Sequence, residues 1–234
     1  MATLLPDAPP RAHTFDGLGA EIVDYAMKHA KTVTARRGET ITRQGEPARQ
    51  IFVIRDGYAK MVSTSEDGHD VLVGIVGPRD AFGHAAMAEQ QRTYMVTSTA
   101  LAPVTAAVWS REKARAIAEE FPEVHKRIDV QLMRNLEAML ERLHTVSEGR
   151  VGNRLARALL ELGERHGQPD ALGVLIVPPM TRQDIAAIVG TTLFTASRLL
   201  SEWEDRGLIE SSRARVRLRS LEGLRMLATD SADL

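Results

Sequence analysis

The segment TRQDIAAIVGTTLFTASRLLSEWEDRGLIE, Thr181 to Glu210, carries two helical patterns separated by one glycine. Thr181 with Asp184 three residues on is close to a capping box and predicts a helix from about Arg182 to Val189. Gly190 supplies the left-handed residue that lets the chain turn sharply. Thr191 or Thr192 caps a second helix, from about Leu193 to Arg206. Ile185, Val189, Ala196 and Leu199 are apolar where the two helices would face each other, and Ala186 is small where they would cross. This spacing predicts a helix-turn-helix, whose second helix enters a DNA major groove, although an ordinary helical hairpin imitates part of it. Leu193 and Phe194 stand where polar base-reading side chains are expected. Either they pack on thymine methyl groups, or they cover the core of the motif or the wing.

The residues that follow extend the motif. GLIE reads as a strand, and SSRARVRLRS puts Arg213, Arg215, Arg217 and Arg219 on one side of a second strand and Ala214, Val216 and Leu218 on the other. That row of guanidinium groups either meets phosphate oxygens or is a solvated face paired with acids. Helix, turn, helix and a two-stranded wing make a winged helix-turn-helix.

Upstream, VGNRLARALLELGERHG is an amphipathic helix with Leu155, Leu159, Leu160 and Leu162 as core candidates, and Gly149 before it marks a hinge. QPDALGVLIVPPM reads as a loop with one short strand, Pro178-Pro179 forbidding helix. The long helix opened by Pro122 carries Leu132, Leu136, Met139, Leu143 and Val146 at spacings of 4, 3, 4 and 3, a heptad seam. It reads as a dimer seam or as packing on its own domain; the former is favoured because Met133 and Leu140 form a second line free to cover the N-terminal domain. Before it, SREKARAIAEE is a short helix with Ser110 as N-cap. From Val33 to Trp109, short β-branched runs alternate with the turns QGEP, RDG, EDG and GPRD, the texture of an antiparallel barrel or sandwich. A short helix bearing Ile22, Val23, Ala26 and Met27 precedes them.

Composition narrows the classes. The chain has 234 residues, 44% apolar and 26% charged, with a net charge of −1, so any nucleic-acid surface must be a local patch. No cysteine is present, which excludes disulfides, cysteine-ligated iron–sulfur clusters and a cysteine nucleophile, and fits a cytoplasmic protein. No signal peptide or membrane span is indicated. No phosphate-cradling glycine loop, HExxH or G-x-S-x-G occurs, so an enzyme is not expected.

A β-rich N-terminal domain, a long heptad helix, a hinge and a winged helix-turn-helix, in that order, resemble the cyclic-AMP receptor protein/FNR superfamily of bacterial transcription regulators. The resemblance is carried by GEPARQIFVIRDGYAKMV, EDGHDVLVGIVGPRDAFG, VGNRLARALLELG and the opening segment, about Thr34 to Leu224. It implies an α+β chain: a flexible tail (1–14), an antiparallel β-roll or barrel sensor domain (15–121), a dimerisation helix (122–148) and a winged helix-turn-helix domain (149–234). The implied function is a homodimeric, sequence-specific DNA-binding transcription regulator under allosteric control by an effector in the barrel. Double-stranded DNA and a second copy are the implied partners, with RNA polymerase a further candidate and no membrane. The alternative is a cyclic-nucleotide-type sensor acting on a protein partner without DNA.

Residue by residue, Ser197 and Arg198 match a Ser/Gly-Arg pair of the family's recognition helix, and Arg198 is the expected guanine reader. Thr195, Phe194 and Leu193 complete the expected base-contact set, and Thr181, Arg182, Thr192, Arg213 and Arg215 the phosphate set. In cyclic-AMP-binding members the pocket carries a Gly-Glu pair holding the ribose and an Arg-Ser pair holding the cyclic phosphate. Here Gly83-His84 and Arg92-Thr93 stand at those places, and Met139-Leu140 replace the Thr-Ser pair that meets the adenine. These six are the expected effector residues. The changes disfavour cyclic AMP and leave open another nucleotide, an acid or a haem-bound gas. Haem would need an axial ligand, for which seven histidines offer no distinctive spacing. No metal site is expected.

Overall fold

The computed structural model describes residues 13–68, 70–147 and 150–229; within the long helix, the side chains at 134, 137, 138 and 141–147 lie outside that description. The described residues form two compact units, one within Ala12–Met139 and one from Leu140 onward.

The first unit is a β-roll carrying helices. α1 (Ala20–Lys28) precedes β1 (Lys31–Ala35), β2 (Thr40–Thr42), β3 (Gln50–Asp56), β4 (Ala59–Thr64), β5 (Asp70–Val76), β6 (Ala81–Phe82), β7 (Thr97–Ala100) and β8 (Val104–Ser110). Two four-stranded antiparallel sheets result, in the orders β1-β8-β3-β6 and β2-β7-β4-β5. The apolar run of β3 is explained by burial on both faces. Phe52 and Ile54 point into the roll, where Phe52 stacks on Phe82 with ring centroids 4.8 Å apart, among Val104 and Val108. Ile51 and Val53 point the other way, into an outer layer with Trp109, Ala26, Ala114 and Ile117. The Trp109 indole N–H donates to the carbonyl of Ala26 at 2.7 Å, pinning α1 to this face. The RDG turn between β3 and β4 requires its glycine: Gly57 has φ +85°, and a Cβ there would lie 2.0 Å from the Pro103 carbonyl oxygen.

α2 (Arg111–Glu120) starts at Ser110, whose hydroxyl accepts from the Lys113 amide at 3.2 Å, as the N-cap reading expected. α3 (Pro122–Ser147) follows. Its contact with the roll differs from expectation. Met133 and Leu140 do not cover the roll: they are 56% and 48% exposed. Val124 and Ile128 face that layer instead. Leu132, Leu136 and Met139 are exposed on the same helix, so apolar side chains of both lines stand in solvent. The side chains of Leu143 and Val146 of the seam, and the Gly149 hinge, lie outside what the structure describes.

In the second unit, α4 (Val151–His166) buries Leu155, Leu159, Leu160 and Leu162, as its periodicity required, and packs along α7 (Leu221–Thr229). Between them run β9 (Gly167–Asp170), β10 (Gly173–Ile176), α5 (Arg182–Ile188), α6 (Leu193–Asp205), β11 (Ile209–Ser212) and β12 (Arg215–Leu218). The wing is larger than the two strands expected. β9 and β10 form a hairpin that extends it into a four-stranded sheet, β11-β12-β10-β9. Pro169 is accommodated because β9 is an edge strand. No described helix is long and apolar enough to cross a membrane.

Candidate nucleic-acid interface and effector pocket

Both helices of the motif begin at side-chain caps. Thr181 Oγ1 accepts from the Asp184 amide at 3.1 Å, and Asp184 Oδ2 accepts from the Thr181 amide at 3.0 Å, a complete capping box. Gly190 has φ +63°, the left-handed turn the spacing demanded. The N-cap of α6 is Thr192, whose Oγ1 accepts from the Thr195 amide at 3.2 Å. Ala186 and Ala196 are wholly buried, Ile185 and Val189 nearly so, and these small and apolar residues let the helices approach. One register position needs correcting: the buried leucine of α6 is Leu200, with Trp203 beyond it, while Leu199 is half-buried.

With Ala196, Leu200 and Trp203 committed to the core, the outward face of α6 is determined. Phe194 is 79% and Leu193 45% exposed, so they do not cover the core of the motif. Arg198 is also exposed, in a loose i,i+4 pair with Glu202 at 3.9 Å, a contact too weak and solvated to hold it back from another partner. Thr195 and Ser197 are half-buried beside them.

Arg182 is used differently from expectation. Its guanidinium reaches the Ser197 carbonyl at 3.3 Å, Ser201 Oγ at 3.2 Å and the Glu204 carboxylate at 3.1 Å. Glu204 in turn accepts from the Ser211 amide at 2.8 Å. Arg182 therefore ties α5 to α6 and β11, and its phosphate role gives way to a positioning one. The wing arginines also divide. Arg217 pairs with Asp170 and Glu210, each at 3.0 Å, and Arg219 with Glu210 at 3.2 Å. The hydrogen bond from Arg217, seconded by Arg219, holds the Glu210 carboxyl below its ordinary range. For these two arginines the solvated, acid-paired reading is the correct one. Arg213 lies in the β11–β12 turn, outside the strand row, next to Ala214 at φ +65°. Among the described residues, no carboxylate pairs with Arg213 or Arg215, and both are exposed. Among the described residues, Arg213 and Arg215 are thus the wing arginines left without a carboxylate, both at or next to the β11–β12 turn.

In the roll, Gly83 (φ +84°) opens a 3-10 turn, His84–Met87. His84 lines a cavity on the outer side of β3 and β8, and burial holds its imidazole down to about 4, uncharged at neutral pH. The other expected effector residues do not join it. Arg92 and Thr93 are exposed, their backbone bridging Ala48 and Pro47. Met139 and Leu140 are exposed on α3. The structure does not gather the six into one pocket, and the roll interior is filled by Phe52, Phe82, Ile54 and Val108.

Two family models match the chain: a cyclic nucleotide-binding domain over residues 32–121 and a Crp-like helix-turn-helix domain over residues 153–227. The chain belongs to the cyclic-AMP receptor protein/FNR superfamily. Among its relatives is a CRP-like cAMP-activated global transcriptional regulator of Mycobacterium tuberculosis, 28% identical over 225 residues, spanning 96% of this chain and 95% of that one. Transcriptional activator protein FnrA of Stutzerimonas stutzeri is 24% identical over 213 residues, spanning 91% and 86%. Among solved structures, FixK2 from Bradyrhizobium japonicum superposes with a TM-score of 0.75 at 22% identity, covering 87% of this chain and 99% of that one. As a superfamily member the chain is a DNA-binding transcription regulator with an effector-controlled, cyclic-nucleotide-type domain.

Not every superfamily cofactor suits these residues. A cavity of about 60 Å³ around His84 has room for a few atoms, not for a porphyrin, so haem does not fit there. Among the described residues, no group of three or more His, Asp or Glu is placed to hold a metal ion. Sequence reasoning named His84 but missed Thr14, Arg127 and Trp109, which share its cavity. It also missed Glu204 as the anchor of Arg182. Neither grouping has a local spacing to betray it, because the partners come from distant elements.

Proposed function

We propose that two copies of this chain pair through α3 and bind an inverted-repeat operator, one α6 in each major groove. The observation that carries the reading is the outward face of α6: Leu193, Phe194 and Arg198 project from a capped helix whose other face is core. Arg198 reads a guanine through O6 and N7, and Phe194 and Leu193 lie on thymine methyl groups. Thr195 and Ser197 contact base edges or phosphate, while Thr181, Thr192, Arg213 and Arg215 hold the backbone. The exposed Leu132, Leu136 and Met139 supply the dimer seam. The two-fold axis then sets half-sites about 34 Å apart.

The relative in Mycobacterium tuberculosis is described as cAMP-activated. Here His84 replaces the ribose-holding Glu and turns into the outer cavity, and Arg92 is exposed, so this chain answers to a different effector. Its DNA target places it in the cytoplasm. The reading is tested by fluorescence anisotropy of the purified protein on random-sequence duplexes across a salt series. Tight, strongly salt-dependent binding by a dimer is expected; salt-independent or absent binding would favour a sensor that acts on a protein.

A further inference from the structure

The first turn of α6 presents carbon to solvent. Leu193 and Phe194 are the first two residues of the helix, 45% and 79% exposed. The hydroxyls beside them are engaged with their own turn. Thr192 Oγ1 accepts from the Thr195 amide at 3.2 Å, and the Thr192 and Thr195 hydroxyls share a hydrogen bond at 3.0 Å. Ala196, next along, is wholly buried. In a helix-turn-helix it is the N-terminal residues of the second helix that meet base edges. An apolar pair at that place gains free energy only where it meets apolar surface.

The major-groove edges of the bases offer one such group, the methyl on C5 of a pyrimidine. In thymine that methyl stands beside a carbonyl acceptor at C4. In 5-methylcytosine the same methyl stands beside an amino donor. Leucine and phenylalanine side chains carry neither donor nor acceptor, so they register the methyl and not its neighbour. An acid or amide in the first turn would behave otherwise, choosing between donor and acceptor and rejecting one of the two pyrimidines. Arg198 stands four residues after Phe194 and is likewise exposed. Side chains at that spacing share a helix face with Cβ atoms about 5–6 Å apart, which spans about one to two base steps.

We propose, on the reading of α6 as the base-contacting helix, that Leu193 and Phe194 recognise the pyrimidine C5 methyl whatever stands at C4. The ligand class of this site then includes duplex DNA methylated at cytosine C5. 5-Methylcytosine serves there as thymine does, and an operator with cytosine at that place is bound according to its methylation. The methylated base lies within about two base pairs of the guanine read by Arg198. Deleting one such methyl weakens binding about fourfold per half-site, and about fifteenfold when both half-sites are changed.

The test uses the full-length protein and an operator selected from random duplexes. Each thymine of that operator is replaced in turn by deoxyuridine, which keeps the base pair and deletes the methyl. At the position so found, thymine is exchanged for cytosine and for 5-methylcytosine, each opposite guanine, so that this pair also differs by a methyl alone. Anisotropy titrations are expected to show one position per half-site where deoxyuridine weakens binding about fourfold. There, 5-methylcytosine should bind about fourfold more tightly than cytosine. The double variant Leu193→Ala, Phe194→Ala, at positions exposed in the fold, should bring both ratios to about one. Indifference to deoxyuridine at every thymine, or equal affinity for cytosine and 5-methylcytosine, overturns the proposal, while the selected operator leaves the reading of α6 standing. Unchanged ratios in the double variant would assign the methyl to other residues and overturn it too. Failure to select any operator would sink the reading of α6 and this inference together.

Discussion

Phe194 decides how the recognition helix is understood. Its position beside Leu193 left two roles open in the sequence, and its exposure closes one of them, since a residue 79% exposed is not covering a core. The rest of α6 was legible because helical spacing and caps are local: Thr181–Asp184, Gly190 and Thr192 act within three or four residues of themselves. The partners of Arg182 were not, because Glu204 and Ser211 stand 22 and 29 residues away, and proximity in a fold is not written in spacing. Arg182→Ala should therefore lower the melting temperature of the protein, by loss of a half-exposed clamp, while leaving the salt slope of DNA binding where it was. A slope reduced by about one would return Arg182 to the phosphate set. His84 gives a second prediction at this scale. A histidine whose folded value is depressed contributes stability that is present above its unfolded value of about 6.5 and is lost as pH falls toward 4. Melting temperature should fall between those values, and the fall should be smaller in His84→Phe; equal falls would mean other groups govern that window.

Among the elements, the wing shows what alternation tells and what it leaves out. Period-two spacing correctly separated Val216 and Leu218, which are buried, from Arg215, Arg217 and Arg219. It could not show that β9 and β11 bring Asp170 and Glu210 alongside β12, nor that Arg213 sits in the turn. Hence the arginines are unequal. Arg215→Ala should reduce the salt slope of DNA binding by about one, whereas Arg217→Ala should leave it unchanged. Equal slopes for the two variants would contradict this division. Glu210 and Asp170 have depressed carboxyls, so their contribution to the wing is present above the ordinary carboxylate range and fades as pH drops through their lowered values. The four-stranded extent of this sheet was missed because QPDALGVLIVPPM reads as a loop with one short strand; β9, which holds Pro169 at the sheet edge, was the strand not seen.

For the whole molecule, order along the chain was legible: a β-rich unit, a long helix, then the winged helix-turn-helix. What that order could not show is the cavity on the outer side of β3 and β8, assembled from the segment before α1, those two strands and the helices, apart from the buried cluster of Phe52, Ile54, Phe82 and Val108 inside the roll. The exposed apolar side chains of α3 are the face that the proposed dimer would cover. Leu136→Asp should shift sedimentation to the monomer and weaken operator binding together; a dimeric Leu136→Asp protein would move the interface elsewhere. The most direct measurement is selection of bound sequences from a random duplex pool by the purified protein and by Arg198→Ala. An inverted repeat with half-sites about 34 Å apart is predicted, each with one guanine whose preference, worth about 1–3 kcal/mol, vanishes in the variant. Enrichment of no sequence, or the same guanine preference in Arg198→Ala, would contradict the reading of α6.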